Sequence, residues 1–347
     1  MATIKEVARR AKVSVGTVSN VLSGTVPVSE KLRERVMQVV RTLDYHPNHV
    51  ARSLKIRQTN MLGMVVPYLT NPFFPQVVRG AEDSAWKHGY MLLTFNCDNQ
   101  VERERQVLAA LRNRRVDGIL LVPSTDEDIA HIRAAVEAGI PIVCLDRRLK
   151  DVALDSVTVD NVTGAQECVE HLIRTGHRRI ATITGPLGLQ ISRDRLEGYQ
   201  RALASAGIPF SEELVGEGHF RSDAGYDAAV KLLRDQHPTA FFSQNAMMTL
   251  GLLRALGEFR LRCPEDVAVG TFDDPDFSEA LRPQLTSVAQ PAYDLGYQGA
   301  ELLLQRIADP ERPATNLVLK TELRIRESTT GVKPEIAMEL ATPGGGL

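Results

Sequence analysis

The sequence predicts a small all-α head joined to a two-lobed α/β core with parallel sheets, and three observations carry that prediction. The first is charge: residues 1–57 hold 11 Lys and Arg against four Asp and Glu, and the rest of the chain holds 30 against 39. A net charge of −2 thus hides a basic head on an acidic body, which suits a head that meets phosphates. The second is a change of period, from helical spacing of apolar residues in the head to short apolar runs alternating with amphipathic stretches from Met61 onward. The third is a restart of that rhythm near Asp160, which divides the body into two sheets. At 347 residues and 43% hydrophobic content, the chain can bury two or three ordinary cores.

In the head, Thr3 and Glu6 stand at capping-box spacing, and Ile4, Val7, Ala8 and Ala11 share one helical face. After the break at Lys12-Val13, Ser14 can cap a second helix that turns Val18, Val21 and Leu22 inward and leaves Val15, Gly16, Thr17, Ser19 and Asn20 outside. Two helices, a tight turn and small polar exposed residues describe a helix-turn-helix, whose second helix enters the DNA major groove N-terminus first. Val15, Gly16 and Asn20 then stand at base-reading positions, with Asn20 suited to adenine and Val15 to a thymine methyl. Ser14, Thr17 and Ser19 suit phosphate oxygens, and their hydroxyls have a second reading as helix caps. A third helix follows from Ser29, with Leu32, Val36, Val39, Val40 and Leu43 inside and Lys31, Arg33, Arg35 and Arg41 outside. Beyond Tyr45-His46-Pro47, Asn48 can cap a helix of about two turns ending near Arg57, too short to stand alone. Its Leu54, beside Arg52 and Lys55, fits a wedge into the minor groove of bent DNA; the competing reading is a linker with one surface leucine. Thr3, Asn48, Ala51 and Lys55 complete the candidate DNA-facing set.

In the body, strands are expected at Leu62–Val66, Met91–Phe95, Gly118–Val122 and Pro141–Leu145, each followed by a helical pattern. They are expected again at Ile180–Thr184, Phe241–Ser243 and Val267–Thr271. Ligands of such sheets bind outside the carboxyl ends of the strands, so the polar and aromatic residues just past those ends are the candidate liners of a cleft between lobes. These are Asn71, Phe73 and Phe74; Asp146 and Arg147; and Arg195, Phe220, Asn245 and Asp273. Aromatic faces beside carboxylates, amides and guanidinium forks match a polyhydroxylated ring, although each residue taken singly also reads as a cap or ion pair.

Other classes find little support. No run of about 18 apolar residues occurs, so no membrane partner is expected, and the start leads into a charged helix rather than an apolar signal segment, which points to the cytoplasm. Cys97, Cys144, Cys168 and Cys263 are too scattered for a zinc knuckle or disulfide framework. Phosphate-loop, dinucleotide, zincin and nucleophile-elbow motifs are absent. The cluster Asp273-Asp274-Pro275-Asp276 has no histidine near it to help hold a metal. No catalytic residue, cofactor or metal is therefore expected. Residues 341–347, with three consecutive glycines, read as a disordered tail.

These segments together resemble the LacI/GalR (lactose/galactose repressor) family of bacterial transcription regulators. The resemblance rests on Thr3 to Ala8, Val13 to Leu22, Tyr45-His46-Pro47-Asn48 with Ala51 to Leu54, and Asn71-Pro72-Phe73-Phe74. It continues through Val116-Asp117-Gly118, Asp146-Arg147, Gly176-His177, Arg195 to Tyr199, and Phe272-Asp273. It implies a helix-turn-helix domain at 1–45, a hinge helix at 46–58 and a periplasmic-binding-protein-like core at 59–340. Lobe 1 would take about 59–160 and 291–322, and lobe 2 about 161–290 and 323–340. It also implies a homodimer or tetramer that binds a near-palindromic double-stranded operator as a transcriptional repressor. The hinge helix would form on DNA with Leu54 opening the central step, and a small-molecule effector, a sugar or sugar phosphate, would shift the lobes. Family effector contacts fall on Phe73, Phe74, Arg147, Arg195, Phe220 and Asp273. The chain departs from many relatives at Ala246, where an Asp commonly follows the Asn. With Arg147, Arg193 and Arg195 adding positive charge, that loss of an acceptor suggests an anionic effector. Two other readings use the same features: a two-lobed sugar-binding protein without a gene-regulatory role, and a nonspecific DNA-binding protein. The basic head weighs against the first and the ligand cleft against the second.

Overall fold

The computed structural model describes residues 2–23, 26–45, 59–150 and 152–330. The expected hinge helix at 46–58, with Asn48, Ala51, Leu54 and Lys55, and the expected tail at 341–347 lie outside the described residues. The chain divides into two compact units, Met1–Thr59 and Asn60–Leu347.

The head contains helices α1 (Ile4–Ala11), α2 (Val15–Ser23) and α3 (Glu30–Thr42). Thr3 Oγ1 accepts from the Glu6 amide at 3.3 Å, so the cap forms, while the Glu6 carboxylate lies 3.7 and 3.5 Å from Arg9 and Arg10. Lys12 ends α1 in the left-handed region at φ 55°, which turns the chain sharply into α2. Ser14 Oγ caps α2 by accepting from the Thr17 amide at 3.0 Å. Ser29 occupies the N-cap position of α3 but makes no side-chain cap bond, so the expected cap is only positional. Val7, Ala8, Ala11, Val18, Val21, Val36 and Tyr45 form one apolar core.

The body holds two six-stranded sheets. The first is built from β1 (Met61–Val66), β2 (Met91–Asn96), β3 (Gly118–Leu121), β4 (Ile142–Leu145), β5 (Asp155–Val159) and β11 (Asn316–Leu319), in the order β11-β5-β4-β3-β1-β2, all parallel. The second is built from β6 (Ile180–Thr184), β7 (Val215–Glu217), β8 (Ala240–Ser243), β9 (Ala268–Phe272), β10 (Thr286–Ala289) and β12 (Glu322–Arg324), in the order β12-β10-β9-β8-β6-β7. Only β12 runs antiparallel, against β10.

Both faces of each sheet are covered, as strands buried on two sides require. In β1, Leu62, Met64 and Val66 pack toward α4 (Phe73–Lys87) and α11 (Ala292–Ala308), and Val65 packs toward α5 (Val101–Asn113) and α6 (Ala130–Glu137). In the second lobe, Ala181, Ile183 and Phe241 face α9 (Ser222–Gln236) and α10 (Ala246–Glu258). Ile180, Phe242 and Phe272 face α7 (Asn161–Arg174) and α8 (Gln190–Ser205). Helices α4 and α11 meet backbone to backbone: a Cβ on Gly80 would lie 2.0 Å from the Tyr293 carbonyl oxygen, and one on Gly296 1.8 Å from that of Val77.

The chain passes between the sheets three times, at Asp160-Asn161, at Gln290-Pro291 and at Lys320-Thr321, so three strands of backbone form the hinge. Two expectations need correction. No helix follows β4, which instead leads into β5, and Glu322 already belongs to the second sheet. Strand β5 escaped the apolar-run criterion because it reads Asp-Ser-Val-Thr-Val. Its buried Asp155 is neutralised from a distance, accepting from Arg306 Nε and Nη2 at 2.8 and 3.1 Å and from the Thr315 amide at 2.7 Å.

Candidate ligand cleft and nucleic-acid interface

Parallel strands put all their carboxyl ends on one edge of a sheet, and the two lobes turn these edges toward each other. Between them lies a narrow pocket walled mostly by buried side chains of both lobes. Its wall contains all nine residues expected from the strand ends: Asn71, Phe73, Phe74, Asp146, Arg147, Arg195, Phe220, Asn245 and Asp273. Sequence reasoning missed Tyr68, Ile191 and Gln290. Tyr68 stands two residues after β1 and Gln290 one after β10, so the same strand-end rule reaches Tyr68, whereas Gln290 needed a strand that the apolar runs did not reveal.

On the first lobe, Asn71 Oδ1 accepts from the Phe73 amide at 3.1 Å and opens α4, placing Phe73 and Phe74 edge to face with centroids 5.1 Å apart. Arg147 Nη1 donates to Asn99 Oδ1 at 2.7 Å and to the Pro123 carbonyl at 2.8 Å, which fixes the guanidinium plane. Its carbon centre stands 5.9 Å from the Phe220 ring of the other lobe. On the second lobe, Arg195 Nε donates to Asn161 Oδ1 at 2.8 Å, Nη1 donates to the Gln244 carbonyl at 2.5 Å, and the guanidinium lies 3.7 Å over the Phe272 ring. Asp273 Oδ1 accepts from Gln290 Nε2 at 2.5 Å. Asn245 caps α10 by accepting from the Met248 amide at 2.8 Å and donates through Nδ2 to the Phe220 carbonyl at 3.3 Å, so it braces an aromatic wall as well as lining the pocket.

Three wall residues, Asp146, Phe220 and Asp273, have left-handed backbone at φ 63°, 58° and 72°, a strained choice for non-glycine residues that tends to gather at binding sites. Burial pushes the carboxyls of Asp146 and Asp273 up from the ordinary range. Arg147 and then Arg195 oppose it at Asp146, and Arg195 opposes it at Asp273. Burial also lowers Arg195, against the pull of Asp273 and Asp146. Two carboxylates and two guanidinium groups therefore balance each other across the cleft. Asp146 Oδ1, Arg147 Nε and Gln290 Oε1 are buried without a hydrogen bond inside the chain, and such atoms call for a polar ligand.

One of the three arginines behind the anionic expectation stands outside the pocket. Arg193 does not line the pocket; it pairs with Asp126 at 3.0 Å, because two residues along a helix turn a side chain about 200° from Arg195. The acidic cluster also disperses: Asp273 enters the pocket, Asp274 pairs with Arg324 and Arg326, and Asp276 accepts from Gln76. Among the described residues, no group of His, Cys, Asp and Glu is arranged to hold a metal ion, and no helix is long and apolar enough to cross a membrane. Cys97, Cys144, Cys168 and Cys263 are free thiols, and burial pushes Cys144, Cys168 and Cys263 up to about 12.

In the head, Ser14, Val15, Gly16 and Ser19 are exposed, Thr17 and Asn20 are half-buried, and Thr3 is exposed at the start of α1. Helix α2 carries no charged side chain, so its small face can approach another surface closely. The Ser14 and Thr17 hydroxyls share a hydrogen bond of 2.9 Å, so the capping reading and the exposed reading hold together. Lys31, Arg33, Arg35 and Arg41 on α3 are exposed.

With this geometry in hand, the relatives become informative. Residues 59–326 match the family of periplasmic binding proteins and sugar binding domain of LacI family, and residues 3–48 match the bacterial regulatory proteins, lacI family. The ribose operon repressor of Haemophilus influenzae is 35% identical over 96% of this chain and 100% of its own. The HTH-type transcriptional repressor PurR of Vibrio vulnificus is 36% identical over 94% of this chain and 98% of its own. The crystal structure of the lac repressor dimer bound to operator and an anti-inducer superposes with a TM-score of 0.85 at 29% identity, covering 95% of this chain and 99% of that one.

Proposed function

The chain belongs to the lacI family of bacterial regulatory proteins and is a ligand-controlled DNA-binding transcriptional repressor; from that premise we propose that its effector is a small uncharged sugar of pentose size. One observation carries the proposal: the pocket supplies strong hydroxyl acceptors in Asp146 and Asp273 and strong donors in Arg147 and Arg195, with no formal charge left over. A hydroxylated ring can use both kinds of partner while Phe73, Phe74 and Phe220 cover its apolar faces. A phosphate ester would bring about two negative charges to a wall of buried side chains whose two guanidinium groups are already matched by two carboxyls, and its desolvation would go uncompensated. The high similarity to ribose operon repressors makes D-ribose the first compound to test.

The DNA contacts belong to the head. Val15, Gly16 and Asn20 read base edges, while Thr3, Ser14, Thr17 and Ser19 fix the head on phosphates, and Asn48, Ala51, Leu54 and Lys55 act at the hinge. Two heads of a homodimer meet a near-palindromic operator, as the lac repressor dimer bound to operator supports. The protein then works in the cytoplasm, where its operator lies. Its named relatives are repressors, and control needs no chemical step: an effector that touches both lobes favours one interlobe angle, and operator affinity follows as a population shift.

Calorimetric titration with D-ribose, D-ribose 5-phosphate and, as a flat ligand without hydroxyl groups, a heterocyclic base tests the effector assignment. D-ribose should bind at least about tenfold more tightly than the others. Preference for the phosphate ester or for the base would reject it. Operator fragments selected from random DNA, titrated across salt with and without D-ribose, test the regulatory coupling.

A further inference from the structure

A second set of contacts joins the lobes outside the pocket. The loop after β3 carries Asp126, whose Oδ2 accepts from the backbone amide of Gln190 at 2.5 Å and from Arg193 Nη2 at 3.0 Å. Gln190 is the first residue of α8, so a carboxylate on lobe 1 serves as the N-terminal cap of a lobe 2 helix. Arg193 is held in place from its own lobe, donating to the Leu187 carbonyl at 2.8 Å and to Gln190 Oε1 at 3.1 Å. Asp126 is presented rigidly as well. The Ser124 amide donates to buried Glu104 at 2.7 Å, Glu104 is hydrogen-bonded to His131 at 2.7 Å, and the Pro123 carbonyl accepts from Arg147 in the pocket. On another edge of the cleft, Gln76 Nε2 donates to Asp276 Oδ2 at 3.4 Å, again from lobe 1 to lobe 2.

We propose that Asp126 is a positioning residue for the effector site: it holds the lobes closed and sets effector affinity without lining the pocket. The proposal rests on the reading of the pocket as an effector site, but the latch itself can be tested without any effector. Each contact that exists only in the closed arrangement raises the closed population, and a ligand enclosed by both lobes leaves only when they part. The bond to the helix amide should matter more than the ion pair, since the Arg193 side chain is 41% exposed and the Asp126 side chain only 14%. Arg147 ties the two layers together, because its Pro123 anchor lies three residues before Asp126 on the same loop.

The decisive experiment compares wild type, Asp126→Ala, Asp126→Asn and Arg193→Ala as full-length proteins. Without effector, amide hydrogen exchange in Asp126→Ala should rise together at 187–195, 66–76 and 273–278, on both lobes of the cleft. A rise confined to 187–195, or none, would reduce Asp126 to a local cap and overturn the proposal. With D-ribose, Asp126→Ala should dissociate about tenfold faster with association unchanged or faster, Arg193→Ala about two- to threefold faster, and Asp126→Asn in between. A dissociation rate within twofold of wild type in Asp126→Ala would also overturn it. Failure of wild type to bind D-ribose would reject that effector assignment, while the exchange comparison would still decide the latch.

Discussion

Replacing Asp273 by asparagine should separate effector binding from DNA binding. The carboxylate accepts from Gln290 Nε2 at 2.5 Å through Oδ1, its Oδ2 faces the Ala246 amide at 3.5 Å, and Arg195 supplies its countercharge. An asparagine is close in size but offers one acceptor and one donor, so its NH₂ must confront either the Gln290 amide or the Ala246 N–H. The variant also leaves the Arg147 and Arg195 pair with one carboxylate instead of two. A lost hydrogen bond to a charged partner costs roughly 1.5–3 kcal/mol, and the upper half of that range applies in a site this buried. Affinity for D-ribose should therefore fall roughly 45- to 160-fold. Calorimetry gives the effector Kd, fluorescence anisotropy with a selected operator gives DNA affinity, and a melting scan without ligand confirms the fold. Effector-free operator binding should stay within about twofold of wild type, because the substitution acts inside the cleft. A Kd for D-ribose within threefold of wild type, in a variant that melts normally, would refute the assignment of Asp273 to the ligand.

Three other predictions probe separate links. Gly185→Ala would place a Cβ 2.1 Å from Phe220 Cζ, so the ring must leave its place in the pocket wall; effector affinity should drop at least about tenfold with operator binding retained, and an unchanged Kd would show that the ring does not meet the ligand. Burial, reinforced by His171, pulls the buried His177 down to about 4. The unfolded chain then takes up a proton that the native state refuses: stability is full above pH 6.5 and falls by about 3 kcal/mol as pH drops toward 4, a loss that urea unfolding of His177→Gln should lack and that parallel curves would disprove. Leu54→Ala, argued from the sequence because Leu54 lies outside the described residues, should weaken binding to the selected operator more than to random DNA, whereas equal losses would remove the wedge.

By itself, the sequence determined whatever depends on neighbours a few positions apart. Thr3 and Ser14 could be recognised as caps because a cap bonds an amide three residues on, and β1, β3, β6 and β8 announced themselves as apolar runs buried on both faces. The pocket wall was readable from order alone for a related reason. Parallel strands share a direction, so the residue after each run must arrive at the same edge, and Asn71, Asp146, Asn245 and Asp273 all do. Tertiary structure decided the rest, chiefly which charges meet. Arg193 and Arg195 are indistinguishable in composition, yet one guanidinium enters the pocket and the other reaches Asp126 across the cleft, because helical rotation and a loop 67 positions away assign their partners. Strand β5 stayed hidden because Arg306, 151 positions away, neutralises Asp155. Electrostatic partners are chosen by distance in space, and along the chain that distance has no counterpart.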